Sequence, residues 1–104
     1  MDTEFKIITP KELTNYIHQY STLIVDLREP EDYRSGHIPG AINIPYDMLD
    51  TQLYRLDYYK QILLYCDRGN ASLLASRNLS RMGYPVIDIS GGIHAYTNER
   101  VIGD

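Results

Sequence analysis

Short apolar runs alternate with segments of helical periodicity along this chain, and this alternation limits its fold more than any other feature. The runs occupy residues 5–8, 23–26, 41–44, 61–66 and 86–89. Apolar runs of this length that alternate with helices are typical of a parallel sheet. The alternation therefore predicts a single α/β domain over residues 1–104, with Cys66 at the carboxyl end of a central strand.

The segments between these runs carry helical signals. Helices are predicted at residues 9–20, 30–35, 71–82 and 93–100, with a partly helical stretch at residues 47–59. In the first of them, Thr9 can act as the N-cap, Pro10 suits the first helical position and Glu12 completes a capping box. Gly36 and Gly83 stand where two of the other helices should end.

The chain has one cysteine in 104 residues. This excludes an internal disulfide framework and any metal site built on several cysteines. The longest unbroken apolar run, residues 62–66, is far shorter than the ~20 residues that cross a bilayer. The N-terminal residues also lack a secretory signal pattern. We therefore expect a cytoplasmic protein that needs neither a membrane nor a metal or organic cofactor.

The charge is moderately acidic and unevenly distributed. Residues 1–52 carry nine acids and four bases, whereas residues 53–104 carry five acids and six bases. No segment forms the basic stripe that nucleic-acid binding needs. Neither a Walker loop nor a GxGxxG motif occurs, so nucleotide binding has no support. The sequence predicts no nucleic-acid partner.

Cys66 is the residue whose position suggests chemistry. A lone cysteine is most often a buried core residue, but this one ends a predicted strand and precedes a glycine-containing loop and a helix. Parallel α/β sheets bind ligands at that edge. Loop N–H groups and a helix N-terminus both favour the thiolate, which is the nucleophilic form. The position therefore suits a sulfur nucleophile that acts on, or carries, an anionic group.

The spacing around Cys66 argues against several other cysteine chemistries. A cysteine phosphatase needs an arginine six residues after its nucleophile, where this chain has Ser72. A thioredoxin-like site needs a second cysteine. A cysteine protease needs a histidine base, and nothing in the sequence places one of the three histidines beside the thiol.

Four segments resemble the rhodanese-like domain family. Residues 26–33 (DLREPEDY) and 36–45 (GHIPGAINIP) resemble its N-terminal signature. Residues 66–72 (CDRGNAS) resemble its active-site loop, and the segments MGY and GGIHAY, which start at Met82 and Gly91, resemble its closing segments. Because these motifs occur in the family's order and spacing, the resemblance covers nearly the whole chain.

The resemblance implies a five-stranded parallel sheet with helices on both faces and the activity of a single-domain thiosulfate sulfurtransferase. Cys66 would take sulfur from thiosulfate or another sulfane-sulfur donor. The resulting persulfide would pass the sulfur to cyanide or to a thiol, including a protein thiol. Asp67 and Ala71 depart from the family's usual loop and predict weaker use of thiosulfate. The alternative is a rhodanese-like binding module, or a redox or sulfide sensor, with little turnover.

The resemblance also implies which residues form the site. Besides the catalytic Cys66, those that bind the substrate or persulfide would be Asp67, Arg68, Gly69, Asn70, Ala71, Ser72 and Arg28. Arg68 would attract an anionic donor, since it is the only cation in the loop. Arg28 would either lie at the cleft or pair with a carboxylate such as Glu29 or Asp32.

Five further residues are not expected to take part in the chemistry. Asp26 should make a structural hydrogen bond at the end of its strand, and His37 should support a turn rich in proline and glycine. His94 should be an exposed helical residue. Residues 91–92, both glycine, should form a sharp turn.

Overall fold

Five parallel strands form the sheet predicted from the apolar runs. The computed structural model describes residues 5–104, and its strands are β1 (Lys6–Ile8), β2 (Thr22–Asp26), β3 (Ile42–Asn43), β4 (Gln61–Tyr65) and β5 (Val86–Ile89). Their order across the sheet is β1-β5-β4-β2-β3, and every neighbouring pair is parallel. The predicted α/β fold with a five-stranded parallel sheet is confirmed.

The centre of the sheet is β4, which lies between β5 and β2. Its residues Ile62, Leu63 and Leu64 are completely buried, as expected for a strand covered on both faces. In the parallel register Asp26 of β2 is level with Tyr65 of β4. Both strands therefore end at the same edge, which is the edge where parallel α/β sheets bind ligands.

Two α-helices pack on opposite faces of the sheet. They are α1 (Pro30–Ser35) and α2 (Asn70–Arg81). On one face Tyr33 of α1 lies in a core cluster with Leu63. On the other face Leu79 of α2 lies in a second cluster with Leu64. Since successive strand residues point to opposite faces, the two clusters show that helices cover both, as expected. No helix within residues 5–104 is long and apolar enough to cross a membrane.

The helix predicted at residues 9–20 is shorter than expected. Only a 3-10 helix forms, over Glu12–Asn15, although the capping box that predicted its start is present. The Thr9 N–H donates to Glu12 Oε1 at 3.2 Å, and the Glu12 N–H donates to Thr9 Oγ1 at 3.3 Å. Thr14 and Asn15 are weak helix formers, and one turn is enough to bury Leu13, so nothing extends the helix.

Two other helical predictions are only partly correct. The stretch at residues 47–59 forms two 3-10 helices, Tyr46–Thr51 and Leu53–Leu56, which bury Leu49 and Leu56. The predicted last helix is limited to a 3-10 helix over Ile93–Ala95. In both places short 3-10 helices are enough to bury the apolar side chains, so a longer α-helix would add no further burial.

Candidate active site at the carboxyl edge of the sheet

Cys66 directly follows β4 and lines an open cleft of about 470 Å³. The residue is 6% exposed, so it is buried apart from its contribution to the wall of the cleft. The cleft is lined by Leu27, Arg28, Glu29, Asp32, Cys66, Asp67, Arg68, Asn70 and Ala71. Every predicted site residue except Gly69 and Ser72 therefore contributes to the wall of one cleft.

Gly69 and Ser72 contact the sulfur atom through their backbone. The Gly69 N–H donates to Cys66 Sγ at 3.1 Å, and the Ser72 N–H donates to it at 3.3 Å. Because α2 begins at Asn70, the positive end of its dipole also lies beside the sulfur. Two N–H donors and a helix N-terminus together stabilise a sulfur anion, whether a thiolate or a terminal persulfide. We call this arrangement of Gly69, Ser72 and the start of α2 the sulfur cradle.

The conformation of Gly69 makes the sulfur cradle possible. Its φ is +111°, a left-handed value that side chains disfavour, and a Cβ there would lie 3.1 Å from the Gly91 nitrogen. The Gly69 carbonyl accepts hydrogen bonds from the Leu73 N–H at 3.1 Å and from the Ser72 hydroxyl at 3.2 Å. These bonds fix the first turn of α2 and so fix the two N–H groups that face the sulfur.

The glycine pair at residues 91–92 allows the segment that follows it to pack against the Cys66 loop. The N–H groups of Ile93 and His94 donate to the carbonyl oxygens of Cys66 and Asp67 at 2.9 and 3.1 Å. A Cβ on Gly92 would lie 2.4 Å from the Cys66 carbonyl oxygen, so only glycine allows this close approach. The sequence predicts a turn here, but its contact with the cysteine loop is visible only in the structure.

Arg28 pairs with Asp26, so the expectation from the sequence that Glu29 or Asp32 would be its partner is wrong. Its Nη2 lies 2.8 Å from Asp26 Oδ2, and its Nε lies 3.1 Å from both carboxylate oxygens. Nη2 also donates to the Gly36 carbonyl at 2.7 Å. The reason is burial: Asp26 is fully buried at the end of β2 and requires a cation, whereas Glu29 and Asp32 are exposed to water.

Tyr65 completes this buried group. Its hydroxyl donates to Asp26 Oδ2 at 2.7 Å and accepts the Ile38 N–H at 3.1 Å. Burial, followed by the nearby Asp26 carboxylate, raises the pKa of Tyr65 well above its ordinary value, so the hydroxyl stays protonated. The structural hydrogen bond expected of Asp26 is present, and this group ties the ends of β2 and β4 together behind the cleft.

The exposed charges at the cleft are mostly acidic. Arg68 faces the acids Glu29, Asp32 and Asp67, and all four residues are exposed. The positive charge of Arg28 is already neutralised by Asp26. Arg68 is therefore the exposed cation that lines the cleft, and the three acids oppose an anionic donor.

The structure places His37 and His94 outside the set of residues that line the cleft. The buried His37 ring stacks on Tyr33 with centroids 3.8 Å apart, and its Nδ1 lies 2.9 Å from the Tyr33 carbonyl oxygen. His94 is exposed, as expected, although on a 3-10 turn. Across residues 5–104, His, Cys, Asp and Glu side chains nowhere form a group of three that could hold a metal ion.

The fold is a parallel α/β sheet, and at its carboxyl edge lies a cysteine loop lined by N–H groups. A comparison of the sequence identifies the family with this arrangement. The sequence model of the rhodanese-like domain matches residues 9–99, and the chain belongs to that family.

Solved structures agree with this assignment. A rhodanese-like domain protein from Staphylococcus aureus is 29% identical with a TM-score of 0.85, and the alignment covers 96% of this chain and 100% of that one. A rhodanese-related protein from Thermoplasma volcanium is 30% identical with a TM-score of 0.80, over 88% and 90% of the two chains. A thiosulfate sulfurtransferase from Pseudomonas aeruginosa shares the fold at 23% identity and a TM-score of 0.84, over 99% of this chain and 20% of that one.

Proposed function

We propose that this protein is a sulfurtransferase that carries sulfur as a persulfide on Cys66. The observation that supports this most directly is the sulfur cradle, in which the Gly69 and Ser72 N–H groups both donate to Cys66 Sγ. The same donors would stabilise the thiolate that attacks and the persulfide anion that results. The cleft in front of the sulfur provides room for a small donor.

The proposed reaction has two steps. The Cys66 thiolate attacks the outer sulfur of thiosulfate, or of another sulfane-sulfur donor, and a new S–S bond forms. The S–S bond of thiosulfate breaks, its electron pair leaves with sulfite, and Cys66 becomes a persulfide. Cyanide or an acceptor thiolate then attacks the terminal sulfur, which regenerates the Cys66 thiolate. Covalent catalysis of this kind gives ping-pong kinetics.

The partners in this proposal are small or thiol-bearing. The donor is a small sulfane-sulfur compound, and the acceptor is cyanide or a thiol, which can belong to another protein. A free thiolate and a thiol acceptor both require a reducing compartment, and we therefore propose the cytoplasm.

Intact-mass measurement tests the proposal directly. After incubation with thiosulfate, or separately with polysulfide, the protein should gain one sulfur atom, about 32 Da, and dithiothreitol should remove it. The Cys66→Ser variant, which keeps the shape of the loop, should gain nothing. A wild-type protein that remains unmodified with both donors would instead be a rhodanese-like binding module.

Arg68→Ala is expected to lower kcat/KM for thiosulfate about tenfold. A charge-assisted contact with the donor is worth roughly 1.5–3 kcal/mol, and exposure to water puts Arg68 near the lower end. Steady-state kinetics at low and high salt provide the measurement, and added salt should reduce the difference. Asp67→Asn is the matched control, because it should move kcat/KM in the opposite direction by a smaller factor. Unchanged kinetics in Arg68→Ala would mean that the backbone alone holds the donor.

A further inference from the structure

Asp88 is a carboxyl group buried behind the Cys66 loop, and the proposed chemistry does not use it. It lies on β5 and is 2% exposed. Its register neighbours are Ile7 of β1 and Leu64 of β4, and α2 covers this face of the sheet with the buried Ser72. None of these neighbours carries a charge. Ser72 connects this set to the Cys66 thiol, because its N–H donates to Cys66 Sγ.

Ser72 links Asp88 to the sulfur cradle. Its hydroxyl hydrogen-bonds the Asp88 carboxyl and also donates to the Gly69 carbonyl at 3.2 Å. A serine hydroxyl has one proton and can donate it to one acceptor at a time. Both contacts are satisfied together when the Asp88 carboxyl carries its own proton and donates it to Ser72 Oγ. The Ser72 proton then remains available for Gly69.

The rest of the surroundings also fits a neutral carboxyl. Within the described residues, Asp88 Oδ1 has no hydrogen-bond partner, and neither does the fully buried Ser76 Oγ one turn further along α2. A buried carboxylate anion needs several donors or a cation, whereas a neutral acid needs far less compensation. Burial has the largest effect on Asp88 and raises its pKa, whereas a Ser72 hydroxyl that donates to the ionised carboxylate lowers the pKa.

We propose that Asp88 is a positioning residue for the Cys66 site and that it performs this role as a neutral acid. This inference rests on the proposed function, because it concerns the sulfur anion at Cys66. Neutral Asp88 holds the Ser72 hydroxyl towards Gly69 and leaves the wall behind the sulfur uncharged. Ionised Asp88 draws the Ser72 proton to itself and adds a negative charge that opposes a sulfur anion at Cys66.

Alkylation of Cys66 by iodoacetamide, in wild type and in Asp88→Asn between about pH 5 and pH 9, tests the role of charge. The amide keeps the size of the side chain and an N–H donor towards Ser72 but cannot ionise. We expect equal rates at the acid end and a roughly threefold faster reaction of Asp88→Asn once the wild-type carboxyl has ionised. A ratio that stays near three over the whole range would overturn the proposal, because Asp88 would then be ionised even at about pH 5. A ratio that stays at one would fit a carboxyl that remains neutral up to about pH 9.

Two more variants separate positioning from ordinary packing. Asp88→Ala removes the donor to Ser72 and should slow alkylation about threefold even at the acid end, where Asp88→Asn matches wild type. Ser76→Ala is the matched control, because this buried serine makes no bond to the loop in the described structure, and its profile should follow wild type. Equal rates for Asp88→Ala and wild type at the acid end would contradict the positioning role. If Asp88→Ala does not fold, the pH-dependent ratio for Asp88→Asn still decides.

Melting temperature gives an independent measure of the titration. Since the folded state raises the pKa of Asp88, wild type loses stability as the pH rises from the ordinary aspartate range through the folded-state pKa. Asp88→Asn has no such loss. The difference between the two melting temperatures should therefore be near zero below about pH 4 and should grow in favour of the variant as the pH rises. A constant difference would contradict the titration.

These measurements are independent of sulfur transfer. Alkylation requires only a reactive thiol, whereas the proposed function is tested by the gain of sulfur mass. A pH-dependent rate ratio without any sulfur gain would refute the transferase and keep the role of Asp88. Sulfur gain with a rate ratio near three over the whole pH range would support the transferase and refute the role of Asp88.

Discussion

Gly92→Ala is expected to destabilise the protein by roughly 3–5 kcal/mol and to displace the loop that carries Cys66. The new Cβ would lie 2.4 Å from the Cys66 carbonyl oxygen and 2.5 Å from that of Asp67. Gly92 also has a φ of +61° and a ψ of −159°, a region that is open almost only to glycine. Steric overlap and backbone strain therefore act together, and the atoms in the way are backbone atoms that cannot rotate aside.

Gly83→Ala is the matched control for this experiment. Its φ is +95°, also left-handed, but a Cβ there would meet nothing within 4 Å. It should therefore show only the strain, about 1–2 kcal/mol, and leave the reactivity of Cys66 unchanged. Urea denaturation and the rate of Cys66 alkylation, measured on both variants, give the comparison. Similar losses at the two glycines would mean that contact with the Cys66 loop adds nothing to the cost.

Asp26→Ala is expected to cost about 3–5 kcal/mol of unfolding free energy. The fully buried carboxylate accepts bonds from Arg28 and from the Tyr65 hydroxyl. Its removal leaves a guanidinium that is 8% exposed without a counter-ion. The loss of a buried counter-charge is more costly than the loss of a neutral hydrogen bond, so the effect should exceed that of most single substitutions.

Two further variants show whether charge is the cause. Tyr65→Phe removes a neutral hydrogen-bonding hydroxyl from the same group and should cost only about 1–2 kcal/mol. The double variant Asp26→Ala with Arg28→Ala should be less destabilised than the sum of its single changes, since neither charge is then left alone. Denaturant titrations of wild type, Asp26→Ala, Arg28→Ala and the double variant measure this coupling. Strict additivity would show that Asp26 and Arg28 do not stabilise one another.

The strands were predictable because their signal is local. Each lies in a short run of apolar residues. In β4, burial on both faces removes the alternation of apolar and polar residues that a half-exposed strand would show. The helix at residues 71–82 was predicted within one residue of α2 because it spans several turns with one apolar side. Shorter segments were harder, since a capping box indicates where a helix begins but not how far it continues. At residues 9–20 it continues for only one 3-10 turn.

The site was predictable as a loop but not as a set of contacts. The position of Cys66 after a strand and before a helix predicts N–H donors near the sulfur, and the structure shows which two they are. The partner of Arg28 was missed because a sequence does not reveal how deeply each carboxylate is buried. Asp88 was missed because it lies within an ordinary apolar run. Its relation to the sulfur depends on the pairing of β5 with β4 and on the packing of α2.

The bonds from Ile93 and His94 to the carbonyl groups of Cys66 and Asp67 join segments far apart in the sequence. During synthesis, the residues from Cys66 to the end of α2 leave the ribosome before Ile93 and His94, which donate these two bonds. Closing a connection of this length carries an entropic cost that local helix formation does not. The loop therefore gains these two hydrogen bonds only when residues 93–94 pack against it. A nascent chain that ends before residue 93 carries the cysteine without these two hydrogen bonds, so its thiol acquires its final environment only after residues 93–94 have been made.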